Sequence, residues 1–247
     1  MGGSPEEGSL EGFRLALKMY GRIAGIPLDE ESALKVEELE LKIMSTLRGE
    51  ASKAVDSGLG LSEWSSSLLE SGVLGDLYKL AAETLGVEGA GLEEARSLLE
   101  SGRYDEPGAQ ALFIVLQAVA RAYAEALLAR EGLREKLTHV CPVCGVETDI
   151  MVARGAGRYS MLCPFCYYEW MLPGRGLVCP RCGSRDRFAL GVYTGRSDRR
   201  LALLHCQNCG FTARLINDPE IYRRAPRSLL PLIALGADRY RSVVEED

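Results

Sequence analysis

Eight cysteines, set as four C-x-x-C pairs and confined to residues 141–209, constrain this chain more than any other feature. The pairs are Cys141/Cys144, Cys163/Cys166, Cys179/Cys182 and Cys206/Cys209, and no cysteine is left over. Two intervening residues let a tight turn bring both sulfurs to one side, where they can bind one tetrahedral ion. Two of the pairs open with the same phrase, Cys-Pro-x-Cys-Gly, at 141–145 and 179–183. Proline pre-sets the turn, and glycine supplies the left-handed residue that folds the chain back. The gaps between successive pairs are 18, 12 and 23 residues. The two long gaps match the connection between the knuckles of a zinc ribbon or rubredoxin-like site, and the short one holds Pro173-Gly174, a natural break. Pairing first with second and third with fourth is simplest. A cross-braced arrangement, first with third and second with fourth, is the alternative.

Four thiolates suit Zn²⁺ or a rubredoxin-like Fe, so the pattern predicts two metal ions without naming them. Disulfides are the competing reading. No secretory signal precedes the knuckles, and neighbours in C-x-x-C seldom form structural disulfides. A redox dithiol would show as a lone C-x-x-C beside a βαβ pattern, not as four knuckles in register. His139 and His205 stand next to knuckles and could each replace a cysteine as ligand.

The cysteine-free part reads as helix. Residues 9–138 form the expected all-helical domain, after a glycine-rich and acidic stretch, 1–8, expected to be flexible. Leu10, Phe13, Leu17 and Tyr20 make a helical stripe that Pro27 closes. Asp29 caps a long second helix, with Leu34, Leu41 and Met44 facing in and Glu30, Glu37, Glu38 and Glu40 in water. Shorter helices are predicted over 62–69 with Ser62 as cap, 74–85 stopped by Gly86, and 92–100 ended by Gly102. Residues 108–130 are the most apolar segment and read as the central helix of a bundle; Gln110, Gln117, Arg121 and Glu125 argue against a membrane span.

The metal region reads as hairpins. Strands over 148–152 and 158–162 flank Gly155-Ala156-Gly157, strands over 188–193 and 200–205 flank a turn near Gly195, and 211–216 is a last strand. This divides the remainder into a first metal module at 139–176, a second at 177–216, and a C-terminal helix with an acidic tail at 217–247. Asp218-Pro219 marks a break, and one helix is predicted over 228–241. The fold class is thus α plus small β: an N-terminal helical bundle, two tandem rubredoxin-like or zinc-ribbon modules and a C-terminal helix.

Charge follows the same division. Residues 1–139 hold 24 acids and 14 bases, residues 140–247 hold 11 acids and 15 bases, and the whole chain is at −6. Each metal–tetrathiolate centre adds about −2, which brings the basic half near neutral and argues against a nucleic-acid footprint.

With these motifs in view, the chain resembles the FdhE family of formate dehydrogenase accessory proteins. The resemblance rests on Cys141-Pro-Val-Cys144-Gly, on Arg158-Tyr159 before Cys163, on Cys166-Tyr-Tyr-Glu169-Trp170, and on the two further C-x-x-C pairs followed by Phe211 and Arg214. It implies a cytoplasmic, non-enzymatic maturation factor. Such a factor binds iron through these cysteines and associates with the catalytic subunit of a formate dehydrogenase or a related molybdopterin oxidoreductase. Tyr167, Tyr168 and Trp170 are the candidate partner-binding residues, with the arginines between the knuckles as a second face; the competing reading is that Trp170 packs over the first metal site and Glu169 pairs with an arginine. No catalytic residues and no membrane partner are expected. A zinc-ribbon nucleic-acid-binding protein and a rubredoxin-like electron carrier are the other function classes the knuckles admit.

Overall fold

The computed structural model describes residues 10–24, 29–89 and 91–245. The expectations for residues 1–8, for Pro27 and for the last two residues of the acidic tail lie outside them. The chain forms two compact units. One runs from residue 35 to 132; the other combines the segment up to residue 34 with everything from 133 onward.

The first unit is helical. Most of α2 (Glu30–Ser57) belongs to it, followed by α3 (Leu61–Glu70), α4 (Val73–Leu85), α5 (Leu92–Glu100) and α6 (Pro107–Glu131). The buried stripe of α2 is Leu39, Ile43, Leu47 and Ala51, each four residues after the last, which keeps them on one helical face. Two expectations fail here. Glu37 and Glu40 are not in water but are 4% and 2% exposed, because Arg121 on α6 lies between them. The N-cap of α3 is Gly60, not Ser62: Glu63 reaches back to accept the Gly60 N–H, and Ser62 sits inside the first turn. The C-terminal stop of α4 is as expected, with Gly86 in the left-handed region at φ 72°. By length and composition α6 could cross a membrane. Here Ala111, Leu112, Val115, Ala118 and Val119 are buried, with α3, α4 and α5 packed along it.

The second unit is built on one sheet. Its strands are β1 (Ile150–Gly155), β2 (Arg158–Leu162), β3 (Glu169–Met171), β4 (Leu190–Thr194), β5 (Leu201–Cys206) and β6 (Thr212–Ile216). Their order is β3-β2-β1-β6-β5-β4. All neighbours are antiparallel except β1 and β6, which run parallel with Ile150 opposite Arg214 and Val152 opposite Ile216. The two metal modules are therefore joined through that parallel pair into a single six-stranded sheet. The strand β3, three residues long, is too short to leave a period-2 signal in the sequence.

One face of this sheet is covered by helices distant in sequence. Ile150, Val152, Leu162, Leu201, Leu203 and Ile216 share a core with Phe13, Leu17, Tyr20 and Ile23 of α1 (Leu10–Ala24) and with Ile221, Leu229, Leu230 and Ile233. So α1 packs with the sheet, although the reading by composition grouped it with 9–138. A helical stripe shows that a face is buried and says nothing about its partner. The C-terminal segment is also broken more finely than expected: α7 (Pro219–Arg224), α8 (Leu230–Ala234) and α9 (Arg241–Glu245), with 3₁₀ turns at Arg227–Leu229 and Leu235–Tyr240. Asp218-Pro219 ends β6 and also starts α7, since Asp218 Oδ1 accepts the Glu220 N–H at 2.9 Å and proline takes the first helical position. Pro226, which has no N–H to give, separates α7 from the 3₁₀ turn at Arg227–Leu229.

Candidate metal centres

All four knuckles have the same backbone. In each, the first cysteine's carbonyl accepts the N–H of the residue after the second cysteine: Gly145 to Cys141 at 3.0 Å, Tyr167 to Cys163 at 3.2 Å, Gly183 to Cys179 at 2.9 Å and Gly210 to Cys206 at 2.8 Å. The first cysteine's N–H then closes the turn one residue further on, to Val146, Tyr168, Ser184 and Phe211. The donor residue is left-handed every time, with φ at 76°, 55°, 77° and 71°. Glycine fills it three times because it carries no Cβ. Tyr167 is the exception.

The turns place the sulfurs in two clusters. Cys141, Cys144, Cys163 and Cys166 form one, and Cys179, Cys182, Cys206 and Cys209 the other, each with its Sγ atoms within 4.8 Å of one another. The order is first knuckle with second and third with fourth, and the cross-braced alternative is excluded. Sγ···Sγ distances of 3.6 Å (Cys141–Cys166), 3.5 Å (Cys144–Cys163), 3.6 Å (Cys179–Cys209) and 3.6 Å (Cys182–Cys206) are far above a bonded S–S length, and all eight cysteines are free thiols. A tetrahedron with metal–sulfur bonds of about 2.3 Å has edges of about 3.8 Å, so each cluster fits one four-coordinate ion closely. Neither His139 nor His205 joins a cluster. His139 meets Phe211 edge-on, and His205 Nδ1 lies 3.0 Å from Thr212 Oγ1.

Electrostatics favour a cation in both places. Hydrogen bonds from Cys141 and Cys144 push Cys163 and Cys166 up as acids, and the partner Cys144 is pulled down by the same contacts. Burial pushes Cys179 up to about 12, while the Ser184 backbone N–H brings Cys182 down to about 7. Four sulfurs this close cannot all be thiolates alone. A divalent ion supplies the charge that lets the remaining protons leave.

The surroundings differ. In the first cluster Cys141, Cys163 and Cys166 are buried, and only Cys144 is half-buried. Tyr168 and Trp170 stack on each other beside its second knuckle, with ring centroids 6.3 Å apart, and Trp170 Nε1 donates to the Thr138 carbonyl at 3.2 Å. In the second cluster Cys182 is exposed and Cys209 half-buried.

The expected aromatic docking patch is not a surface. Tyr168 is 2% exposed and Trp170 0%, and only Tyr167 is half-buried. The Cys-Tyr-Tyr-Glu-Trp run encodes a core. Between the two buried aromatics, Glu169 is fully buried and accepts from Arg154 at 2.6 Å, from Tyr222 at 3.0 Å and from Ser160, with Arg227 at 3.8 Å. Arg154 also lies 3.9 Å over the Tyr222 ring. Glu169 thereby ties β3 to α7 and the following turn. Arg214 does the same for the other edge of the parallel pair, bridging Asp149 at 2.6 Å and Asp238 at 2.9 Å. Sequence spacing does not name the partners in either network, which lie 9 to 65 residues away.

No known family model matches this sequence, and no curated protein does. Among solved structures, the fold is similar to that of the FdhE protein from Pseudomonas aeruginosa. That match has a TM-score of 0.54 at 19% identity and covers 97% of this chain and 94% of the other. The shared architecture extends over both units and not merely over the knuckles.

Proposed function

We propose that this protein is a two-metal accessory factor acting in the assembly of a formate dehydrogenase or a related molybdopterin enzyme, whose catalytic subunit it binds in the cytoplasm. One observation carries the reading: two complete four-cysteine clusters sit on a fold similar to FdhE along nearly its whole length. The eight cysteines are the ligands, and each cluster holds one Fe or Zn. Free thiols in such number belong to a reducing compartment. The protein contributes binding rather than turnover, with the ions fixing the knuckles into rigid turns.

The burial of Tyr168 and Trp170 moves the docking surface elsewhere. Its place is the exposed rim of the second module, where Phe188 is 76% exposed with the Arg187 guanidinium 4.9 Å from its ring centroid, and where Arg181 and Arg185 are also exposed. Arginine and aromatic side chains most often carry interface energy. Affinity capture from the native host, with metal analysis of the eluate, tests the reading. The expected result is co-purification of a molybdopterin-enzyme catalytic subunit with two ions per chain. Phe188→Ala should retain both ions and lose the partner. Capture of no such subunit, or salt-sensitive binding to DNA or RNA instead, overturns the function.

A further inference from the structure

The two clusters share ligands, knuckle backbone and sheet, yet they are closed to solvent very differently. Three of the first cluster's four sulfurs belong to buried residues, beside the fully buried Trp170 and Tyr168. In the second, Cys182 is exposed. The next turn of chain after Cys182 is exposed as well, at Arg185, Asp186, Arg187 and Phe188. No aromatic pair equivalent to Tyr168 and Trp170 follows the fourth knuckle, whose sequence continues Gly210-Phe211-Thr212 with Phe211 only half-buried.

We propose that the second cluster is an exchange site, whose ion enters and leaves through Cys182, and that the first cluster's ion is a permanent structural one. This rests on the metal-binding part of the function proposed above and adds a division of labour to it. The incoming ligand is a soft anion, a thiolate from a small molecule or a partner's cysteine. It forms a bond to the ion as the ion–Cys182 bond breaks, and the released Cys182 thiolate takes a proton from water. No electron changes hands. Tetrathiolate centres carry about −2, so an approaching thiolate is repelled unless positive charge lies near. Arg181, inside the knuckle, and Arg187, five residues past Cys182, supply it on the exposed side. At the first cluster the equivalent positions are Val143 and Asp149 in the first knuckle and Phe165 and Met171 in the second, none of them cationic.

The test uses the full-length protein loaded with two ions of zinc. An excess of glutathione with a chromophoric zinc chelator starts release, and N-ethylmaleimide labelling with peptide mapping follows the thiols in parallel samples. The expected course is two phases of one ion each, separated by about the 10–100-fold that outer-sphere packing typically contributes at a metal site. Label should appear first at Cys182, with Cys141, Cys163 and Cys166 protected through the fast phase. Arg181→Ala with Arg187→Ala should slow the fast phase and leave the slow one unchanged. Cys182→Ser should bind one ion, released only slowly; should that variant misfold, the wild-type labelling order decides alone. A single phase for both ions, or first labelling at Cys144, overturns the exchange site while leaving the two-metal reading intact. A protein that takes up neither zinc nor iron overturns both.

Discussion

The sheet unit and the helical unit each bury carboxylates against arginine, in opposite ratios. In the sheet unit, one carboxylate, Glu169, faces two guanidiniums, Arg154 at 2.6 Å and Arg227 at 3.8 Å. In the helical unit, one guanidinium, Arg121, serves two carboxylates, Glu37 at 3.2 Å and Glu40 at 2.8 Å, and reaches Glu125 at the surface. The rest of the support differs too. The helical unit is held by leucine, isoleucine and alanine packing around α2 and α6. The sheet unit has long connections between short strands and depends on the knuckles to hold them. The helical unit is therefore responsive to pH and the sheet unit to metal. The chain carries a reporter for each, since its two tryptophans divide between them, Trp64 at 4% exposure and Trp170 at 0%.

Metal removal gives the largest expected effect. Structural zinc in such sites supplies roughly 10–16 kcal/mol of apparent binding free energy, which is folding free energy where the empty site does not hold its shape. Chelation should unfold the sheet unit and leave residues 35–132 helical. Hydrogen exchange sharpens the contrast, because α1 shares its core with Val152, Leu203 and Ile216. Residues 10–24 should lose protection together with the strands. If α1 instead stays protected with α2 to α6, the division into units is wrong.

Deleting the buried aromatics comes next. Trp170→Ala and Tyr168→Ala should each cost about 3–5 kcal/mol, the usual loss for emptying a large aromatic site. Denaturant melts of the sheet unit would show it, and Trp64 fluorescence should be unaffected. Had these residues formed a docking surface, the same changes would leave stability almost untouched, so one melt separates the two roles.

The helical unit should answer to pH. With one cation for two buried carboxylates, burial pushes Glu40 up to about 7 from an ordinary 4.5, against the attraction of Arg121. The folded state then binds a proton more tightly than the unfolded state. Its contribution is fully present below about pH 4.5 and is lost as pH rises through 7. A shift of this size is about 3 kcal/mol at most. Urea melts of a Trp170→Phe background, read at Trp64, should show stability falling between pH 4.5 and 7. Glu40→Gln should flatten that slope and be the more stable protein at pH 8. A parent without the slope would mean that the two carboxylates share Arg121 at no cost.

Much of this arrangement was legible in residue spacing, and the remainder was hidden for definite reasons. The four knuckles and the hairpin around Gly155-Ala156-Gly157 are local, so turn chemistry reveals them. The helices of the bundle follow from period, and the ends of α4 and α5 from Gly86 and Gly102. What spacing could not give is partnership. Glu37 and Glu40 look like solvated positions until Arg121, more than eighty residues on, is placed between them. The aromatic run at 167–170 reads equally as a surface handle or as packing over the first metal site until β3 is seen to lie inside the sheet unit. The joining of the two modules depends on a parallel pair of strands separated by more than fifty residues, and no local signal encodes it.

The smallest effect concerns the knuckles themselves and compares the second with the other three. Tyr167 adopts φ 55° where Gly145, Gly183 and Gly210 adopt 76°, 77° and 71°. A left-handed conformation costs a residue with a Cβ about 1–2 kcal/mol. Alanine at 167 keeps that cost and loses the ring, whereas glycine removes the cost and loses the ring. Tyr167→Gly should therefore be more stable than Tyr167→Ala by about 1 kcal/mol, with glycine's freer unfolded chain taking back part of the gain. The ordering should match that at the third knuckle, where Gly183→Ala introduces the same strain and also brings a Cβ within 3.1 Å of Leu137 Cδ2. Thermal melts of the zinc-loaded variants, read at Trp170, measure both. If alanine equals or exceeds glycine at 167, the second knuckle does not share the backbone of the other three. Its half-buried tyrosine would then be evidence of a turn built differently.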